Sequence, residues 1–488
     1  MRNRSNMLTP LAAALLLLAS NGFCTPAPAE IAVSPDPQYL VFWQADVVFG
    51  SAIEALTKQI ERAAPAWARA GGEPRTLAPL RSQAEAQVKS GDLKGAESTL
   101  HRILAVVAPG LQPAAAAPET VAVRMEQLAA RLAERLGARG DGETRQLAFG
   151  LSFAPLMVED QIPGVIREAF RAAERHDLAV AFSLDSHYFW QNRPDLWQDP
   201  ENVEWSDWHG KANRARYLDW GAPQKLAPHM CYNSPALRRE IARLAGRVIA
   251  PAILSGMEML KAKGKPRLFA GLLVDSEPSV DDYTQLARLN ARLARFMDDD
   301  GAARARLGYH ALHNLGYGPG MKTRDFKEAL ALVNRDFIAF WARQFVEAGI
   351  PASRLYTHVP AQGFAFGDPV VDYTNAPAWI AFNPYSRPGW TTYALRDFDG
   401  YFQPLYGLLA GHGNPSWGGV EVNVGFGGRR GSWESYLWHH FGRGAKFVGV
   451  NTGATSAELT GQLERSAFSP EALAAYRRFL SGAALRPE

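Results

Sequence analysis

The chain has almost no cysteine: Cys24 and Cys231 are the two in 488 residues. That scarcity excludes a disulfide-stapled scaffold and a cysteine-rich zinc cluster. An excess of charge of one sign is also missing, because 52 Lys and Arg face 49 Asp and Glu for a net charge of +3, without basic clusters or acidic tails. Nucleic acid is therefore not an expected partner. The apolar stretch Leu8 to Ala19 is shorter than the ~20 residues that cross a bilayer, so no permanent membrane span is expected. Gly425-Phe426-Gly427-Gly428-Arg429-Arg430-Gly431 is glycine-rich, but it follows an apolar run and does not open a helix as phosphate- and dinucleotide-binding loops do. It reads as a rim loop. Histidines are numerous, from His187 and His209 through His310, His313 and His358 to His439-His440, yet no pair has zinc-ligand spacing with a carboxylate. No metal and no other cofactor is expected.

Arg2 and Arg4, the apolar stretch after them and the small-residue site Ala27-Pro28-Ala29 read together as a bacterial signal peptide over residues 1–29. Asn21-Gly22-Phe23 ahead of Cys24 departs from the small apolar run that precedes a lipidated cysteine. The mature chain, 30–488, is expected in the periplasm or secreted, held together by its core alone.

With 47% hydrophobic residues the 488-residue chain can bury a large core. Short β-rich runs alternate with longer helical stretches, the pattern of a parallel sheet covered by helices. The expected strands are Tyr39 to Trp43, Leu147 to Phe153, Leu178 to Leu184, Leu268 to Val274, Leu355 to Val359, Ala378 to Phe382, Gly418 to Val424 and Lys446 to Val450. Doubly wound sheets alternate in the same way; the count of strands favours an α/β fold of the (β/α)₈ TIM barrel type. Residues 51–145 are too many for one barrel helix, and they read as a helical insertion after the first strand. Ile53, Leu56 and Ile60 share a helical face there, as do Val121, Met125, Leu128, Leu132 and Leu136. Lys89-Ser90-Gly91-Asp92-Leu93 looks like the turn of a helical hairpin. A packed elaboration and a partner-docking module are the two readings of this insertion.

After the third strand, Asp185-Ser186-His187-Tyr188-Phe189-Trp190 opens a long loop carrying Trp197, Trp205, Trp208, Tyr217 and Trp220 among charged residues. A long loop without periodicity is usually functional or disordered, and this aromatic density argues against disorder. Indole rings stack on the apolar faces of sugars; they equally pin a loop to a barrel, and both roles are expected here. Asp185, His187, Trp205 and Trp208 are the candidate ligand contacts of this loop.

Two apolar strand-like runs each deliver a carboxylate: Leu272-Leu273-Val274-Asp275-Ser276-Glu277-Pro278 and Trp417-Gly418-Gly419-Val420-Glu421-Val422. Alternation places Leu273, Asp275 and Glu277 on one face, so Glu277 emerges at the C-terminal mouth if that face is the interior. A lone glutamate at a strand end is usually an arginine's partner. A pair on separate strands is what cleavage of a glycosidic bond requires, one carboxyl protonating the leaving oxygen and one attacking the anomeric carbon or activating water. Glu159 and Glu434 are rival acids whose expected place is at helix starts.

Val274-Asp275-Ser276-Glu277-Pro278 resembles the fourth-strand motif of the clan A glycoside hydrolase barrels, and its flavour is most similar to the family 42 β-galactosidases. The resemblance implies a retaining glycosidase with Glu277 as acid/base and Glu421, in the seventh strand, as nucleophile. Two departures accompany it. Ser276 stands where the clan carries Asn, and Asn451-Thr452-Gly453 follows the eighth strand where a tryptophan often lies under the sugar. Tyr385, after the expected sixth strand, is a candidate donor to the nucleophile or an ordinary loop tyrosine. Trp43, Ser276 and Asn451 complete the candidate substrate contacts. The expected partner is an oligo- or polysaccharide. The alternative from a different class is a non-catalytic carbohydrate-binding or scaffolding protein on a hydrolase-like barrel.

Overall fold

The computed structural model describes residues 36–43, 52–90, 93–108, 118–153, 159, 161–185, 193–218, 224–285, 306–360, 374–393, 398–424, 432–453 and 457–487. Eleven strands lie among them: β1 (Gln38–Trp43), β2 (Arg145–Phe153), β3 (Ala179–Leu184), β4 (Arg216–Leu218), β5 (Gln224–Leu226), β6 (Phe269–Leu273), β7 (Leu355–Tyr356), β8 (Val359–Pro360), β9 (Gly389–Thr391), β10 (Trp417–Val422) and β11 (Ala445–Asn451). β4 and β5 pair as a small antiparallel ribbon, and the other nine form one curled sheet in the order β7-β6-β3-β2-β1-β11-β10-β9-β8. All its pairings are parallel. Such strands are covered on both faces and read as continuous apolar runs, and β3 and β6 are buried at every position.

Strand alternation builds two cores. Leu40 and Phe42, Leu147 and Phe149, Val180 and Phe182, and Val448 and Val450 face the covering helices. Their neighbours Tyr39, Val41, Trp43, Ala148, Ala179, Ala181 and Phe447 face the concave side, where they join Ala270, Leu273, Tyr356 and Val420 in a separate cluster. The alanines leave room for the rings. Tyr356 and Phe447 meet there at 5.1 Å between centroids although their strands are far apart in the sheet order.

The short β7–β8 stretch is bonded on both sides. Val274 N–H donates to Tyr356 O at 3.0 Å and Glu277 N–H to His358 O at 2.9 Å; on the other flank Thr357 N–H donates to Arg387 O at 3.0 Å and Arg387 N–H to Leu355 O at 2.9 Å.

Most expected strands lie within a residue or two of the sequence reading. The sixth does not. Ala378–Ala381 is a 3₁₀ turn, and the strand in that place is β9. The insertion also divides differently: Leu56, Ile60, Leu77, Ala84, Leu100, Ile103, Leu104 and Val107 make a core of their own. Helix Pro118–Leu136 instead buries Val121, Met125, Leu128, Leu132 and Leu136 in the main core, so it is one of the helices covering the sheet. Among the described residues no helix is long and apolar enough to cross a membrane. The segment read as a signal peptide lies outside the described residues.

Trp43 fills the concave side near the strand ends. Its indole lies where a side chain on Gly150 or Gly449 would have to be, and its Nε1–H donates to Val420 O at 2.7 Å. Gly449→Ala therefore drives a methyl into the indole and the Val420 carbonyl. A loss of ~1–3 kcal/mol in urea unfolding is expected; an unchanged unfolding free energy would contradict this packing.

Candidate active site

β6 ends at Leu273, and the chain continues through Asp275 to Glu277. The Asp275 carboxylate accepts the Ser276 N–H at 2.8 Å, which tightens this turn. Glu277 adopts φ +44, a left-handed conformation that costs a non-glycine residue ~1–2 kcal/mol. The bond from its N–H to His358 O, across the strand gap, helps hold it there.

Glu421 is aimed by a bulge. Val420 belongs to the concave cluster and Val422 to the helix-side core, so regular alternation would leave no concave place for Glu421. The pairing of β10 slips between Gly419 and Glu421 against β9, and between Gly419 and Val422 against β11. The extra residue turns Glu421 toward the strand ends, a common role for bulges beside functional sites.

His358 stands between the two acids. Its Nε2 lies 3.9 Å from Glu277 Oε1 and 3.4 Å from Glu421 Oε2. The two carboxylate oxygens are thus no farther apart than those two distances combined, inside the ~9.5 Å outer limit of glycosidase carboxyl pairs. Both acids are partly open to solvent, with 18% and 28% of their side chains exposed. His358 itself is buried, and burial pushes its pKa down, against the partial pull of the Glu421 charge. The imidazole is neutral at pH 7.

β9 and its continuation supply the partners. Thr391 Oγ1–H donates to Glu277 Oε1, and Thr391 Oγ1 lies 2.8 Å from His358 Nε2. Tyr393 O–H donates to Glu421 Oε1 at 2.5 Å, and Asn451 Nδ2 donates to the same oxygen at 3.0 Å and to the Tyr393 hydroxyl at 2.7 Å. Burial, then the Glu421 charge, hold the Tyr393 pKa well above its ordinary value, so it is a neutral donor. Two donors on one carboxylate oxygen fix the orientation of the Glu421 side chain.

Glu277, Glu421 and Asn451 therefore come together, with Asn451 on the carboxylate instead of a ligand. Trp43 packs beside them as a buried floor. Tyr385 sits elsewhere. It lies in the Asn383 to Ser386 turn ahead of β9, beside the groove lined by Arg335, Ser353, Arg387 and His412 at the opposite, N-terminal end of the strands. The sequence reading placed it after the sixth strand; with β9 as that strand, the tyrosine that follows is Tyr393. Ser276 is half-buried. Asp185 is half-buried just beyond β3, its N–H donating to Phe153 O at 3.0 Å. Trp205 stacks on His310 at 4.0 Å and Trp208 meets Tyr309 edge-on at 5.1 Å, contacts that pin the loop to the short helix Tyr309–Asn314. His187 and the 425–431 rim loop lie outside the described residues. The rival Glu159 pairs with Arg243 at 2.6 Å, and Glu434 pairs with Arg478 at 3.0 Å. Among the described residues no cluster of His, Cys, Asp and Glu is arranged to hold a metal ion.

No family model matches the chain, and no curated protein matches it.

Buried titratable groups around this end of the fold set its pH response. Desolvation pushes His440 down to about 3 and His229 down to about 4 from 6.5. Each is neutral when folded, so the unfolded chain binds more protons below pH 6.5, and their contribution is lost as pH falls from 6.5 toward 3–4. Glu204 has the opposite sign: burial raises it from 4.5 to about 8, so its contribution is present below 4.5 and lost as pH rises toward 8. Urea midpoints should climb from pH 4 to 6.5, and Glu204→Gln should flatten any decline from 6.5 to 8. A midpoint that falls over the first interval, or a decline that Glu204→Gln leaves intact, would contradict these assignments.

Proposed function

We propose that the chain is a retaining glycoside hydrolase, with Glu277 as acid/base and Glu421 as nucleophile. The observation that carries this reading is that both strand-borne carboxylates approach one imidazole nitrogen, at 3.9 and 3.4 Å. On this reading β7 and β8 are one strand interrupted at Thr357-His358. Its bonds to the β6 side and to Arg387 then close eight strand positions into a (β/α)₈ barrel of the clan A type. The glutamates lie at the C-terminal ends of β6 and β10, the end that carries the site in barrel enzymes.

The chemistry follows from the partners. Tyr393 and Asn451 hold Glu421 Oε1 and orient the carboxylate for attack on the anomeric carbon. Glu277 protonates the leaving oxygen as that bond breaks, then takes a proton from the water that releases the sugar. The retaining outcome, which places the carboxyls ~5–5.5 Å apart, comes from the resemblance. Aromatic rings of the 185–220 loop extend the proposed binding surface to an oligo- or polysaccharide, and the N-terminal signal places the enzyme in the periplasm or outside the cell.

Aryl glycosides test the roles separately. Glu421→Gln is expected to lower kcat on every active glycoside by at least ~10³-fold while leaving the fold intact. Glu277→Ala should hurt substrates with poor leaving groups far more than dinitrophenyl glycosides, which barely need protonation. Wild-type turnover in the first variant, or equal losses on both substrate types in the second, would reassign the residue concerned.

A further inference from the structure

Thr391 bridges His358 and Glu277, and the direction of that bridge can be worked out from burial. His358 Nδ1 is buried and, among the described residues, has no hydrogen-bond partner. A hydrogen on it would be an orphaned donor, whereas a bare lone pair costs less, so the neutral imidazole carries its hydrogen on Nε2. That hydrogen points toward Thr391 Oγ1 at 2.8 Å, with Glu421 Oε2 at 3.4 Å on the same side. Having accepted from His358, the Thr391 hydroxyl directs its own hydrogen to Glu277 Oε1. The chain runs one way: Nε2–H to Oγ1, Oγ1–H to Oε1.

We infer that Thr391 decides which oxygen of Glu277 is the acid. Oε1 is held as an acceptor, and Oε2 carries the proton that is transferred. This rests on the glycosidase reading above, and it makes Thr391 a positioning residue, acting through Glu277. In the first step the Oε2–H bond breaks and the proton goes to the glycosidic oxygen, whose bond to the anomeric carbon breaks as Glu421 forms its own. In the second, water adds to that carbon, its proton returns to Oε2, and Glu421 leaves. Throughout, the Thr391 hydroxyl stays on Oε1 and stabilises the ionised form made in the first step, opposing the neighbouring charge of Glu421. Among the described residues, the groups that face Glu277 include His358, from the β7–β8 stretch, and the hydroxyls of Tyr393, beyond β9, and Tyr401, on helix Phe398–Gly411, both within electrostatic reach.

The test is a carboxyl ¹³C NMR titration of the full-length protein, the Glu277 resonance being assigned by its loss in Glu277→Gln. Removing a donor from a carboxylate favours the neutral acid, so Thr391→Val should move the Glu277 midpoint up by about one pH unit, and Thr391→Ser should restore it. If Thr391→Val does not fold, Thr391→Ala gives the same shift. Kinetics on glycosides with poor leaving groups, which need protonation, should show the alkaline limb of kcat/KM moving with that midpoint. An unmoved midpoint in both Val and Ala variants, or Ser behaving like Val, overturns the inference. A wild-type protein that turns over no aryl glycoside sinks the glycosidase reading instead, and the titration still decides whether Thr391 holds Oε1.

Discussion

Two carboxylates and an imidazole cannot be brought this close without a cost, and the local structure is organised around meeting it. His358 sits in the break between β7 and β8, where its carbonyl receives the Glu277 N–H and its ring lies between the two acids. Burial keeps the ring neutral, so no ion pair quenches either acid. Glu277 reaches its place through a left-handed backbone, and Glu421 through a bulge. Strain and irregular pairing of this kind persist only where surrounding structure over-determines them. Here the surroundings are Trp43 packed over two glycines and the hydroxyl and amide donors of Thr391, Tyr393 and Asn451.

What the sequence made legible follows from period and length. The apolar runs of β1, β2, β3, β6, β10 and β11 are long enough to read, and those of β6 and β10 carry the glutamates. β9 escaped because only Gly-Trp-Thr is strand, and its neighbour Ala-Trp-Ile-Ala-Phe presents a better apolar run that closes into a 3₁₀ turn. Periodicity alone does not separate those states in so few residues. The misplaced strand moved the expected tyrosine from Tyr393 to Tyr385. His358 was passed over because a single histidine carries no spacing signal, its partners being brought from distant strands by the sheet. Asn451 was noticed at its strand end, but the bond to Glu421 depends on β10 and β11 being neighbours. The bulge had no sequence mark beyond the glycines before it.

The aromatic loop shows both sides of the original expectation. Trp205 stacks on the helix Tyr309–Asn314 and Trp208 meets that helix and Phe326 edge-on, fixing the loop by side-chain contact where regular pairing is sparse. Glu204, next to Trp205, is fully buried, and burial raises its pKa against the opposing pull of the backbone N–H groups of Ala311, His310 and Gly308. Its protonated form suits that setting, which ties the loop to pH in the opposite sense from the buried histidines. The helices Ala52–Arg69, Ala78–Ser90 and Leu93–Val107 form a third core apart from these, while Pro118–Leu136 packs with the sheet.

The central claim, that Glu421 is a nucleophile opposed to Glu277, is tested most directly by trapping. The full-length protein would be incubated with a set of 2-deoxy-2-fluoroglycosyl fluorides, in which the second step is slowed more than the first, and then digested for peptide mass mapping. The account predicts a single glycosyl adduct on Glu421, formed in wild type and absent from Glu421→Gln. An adduct on any other carboxylate, or one that survives in Glu421→Gln, would contradict it.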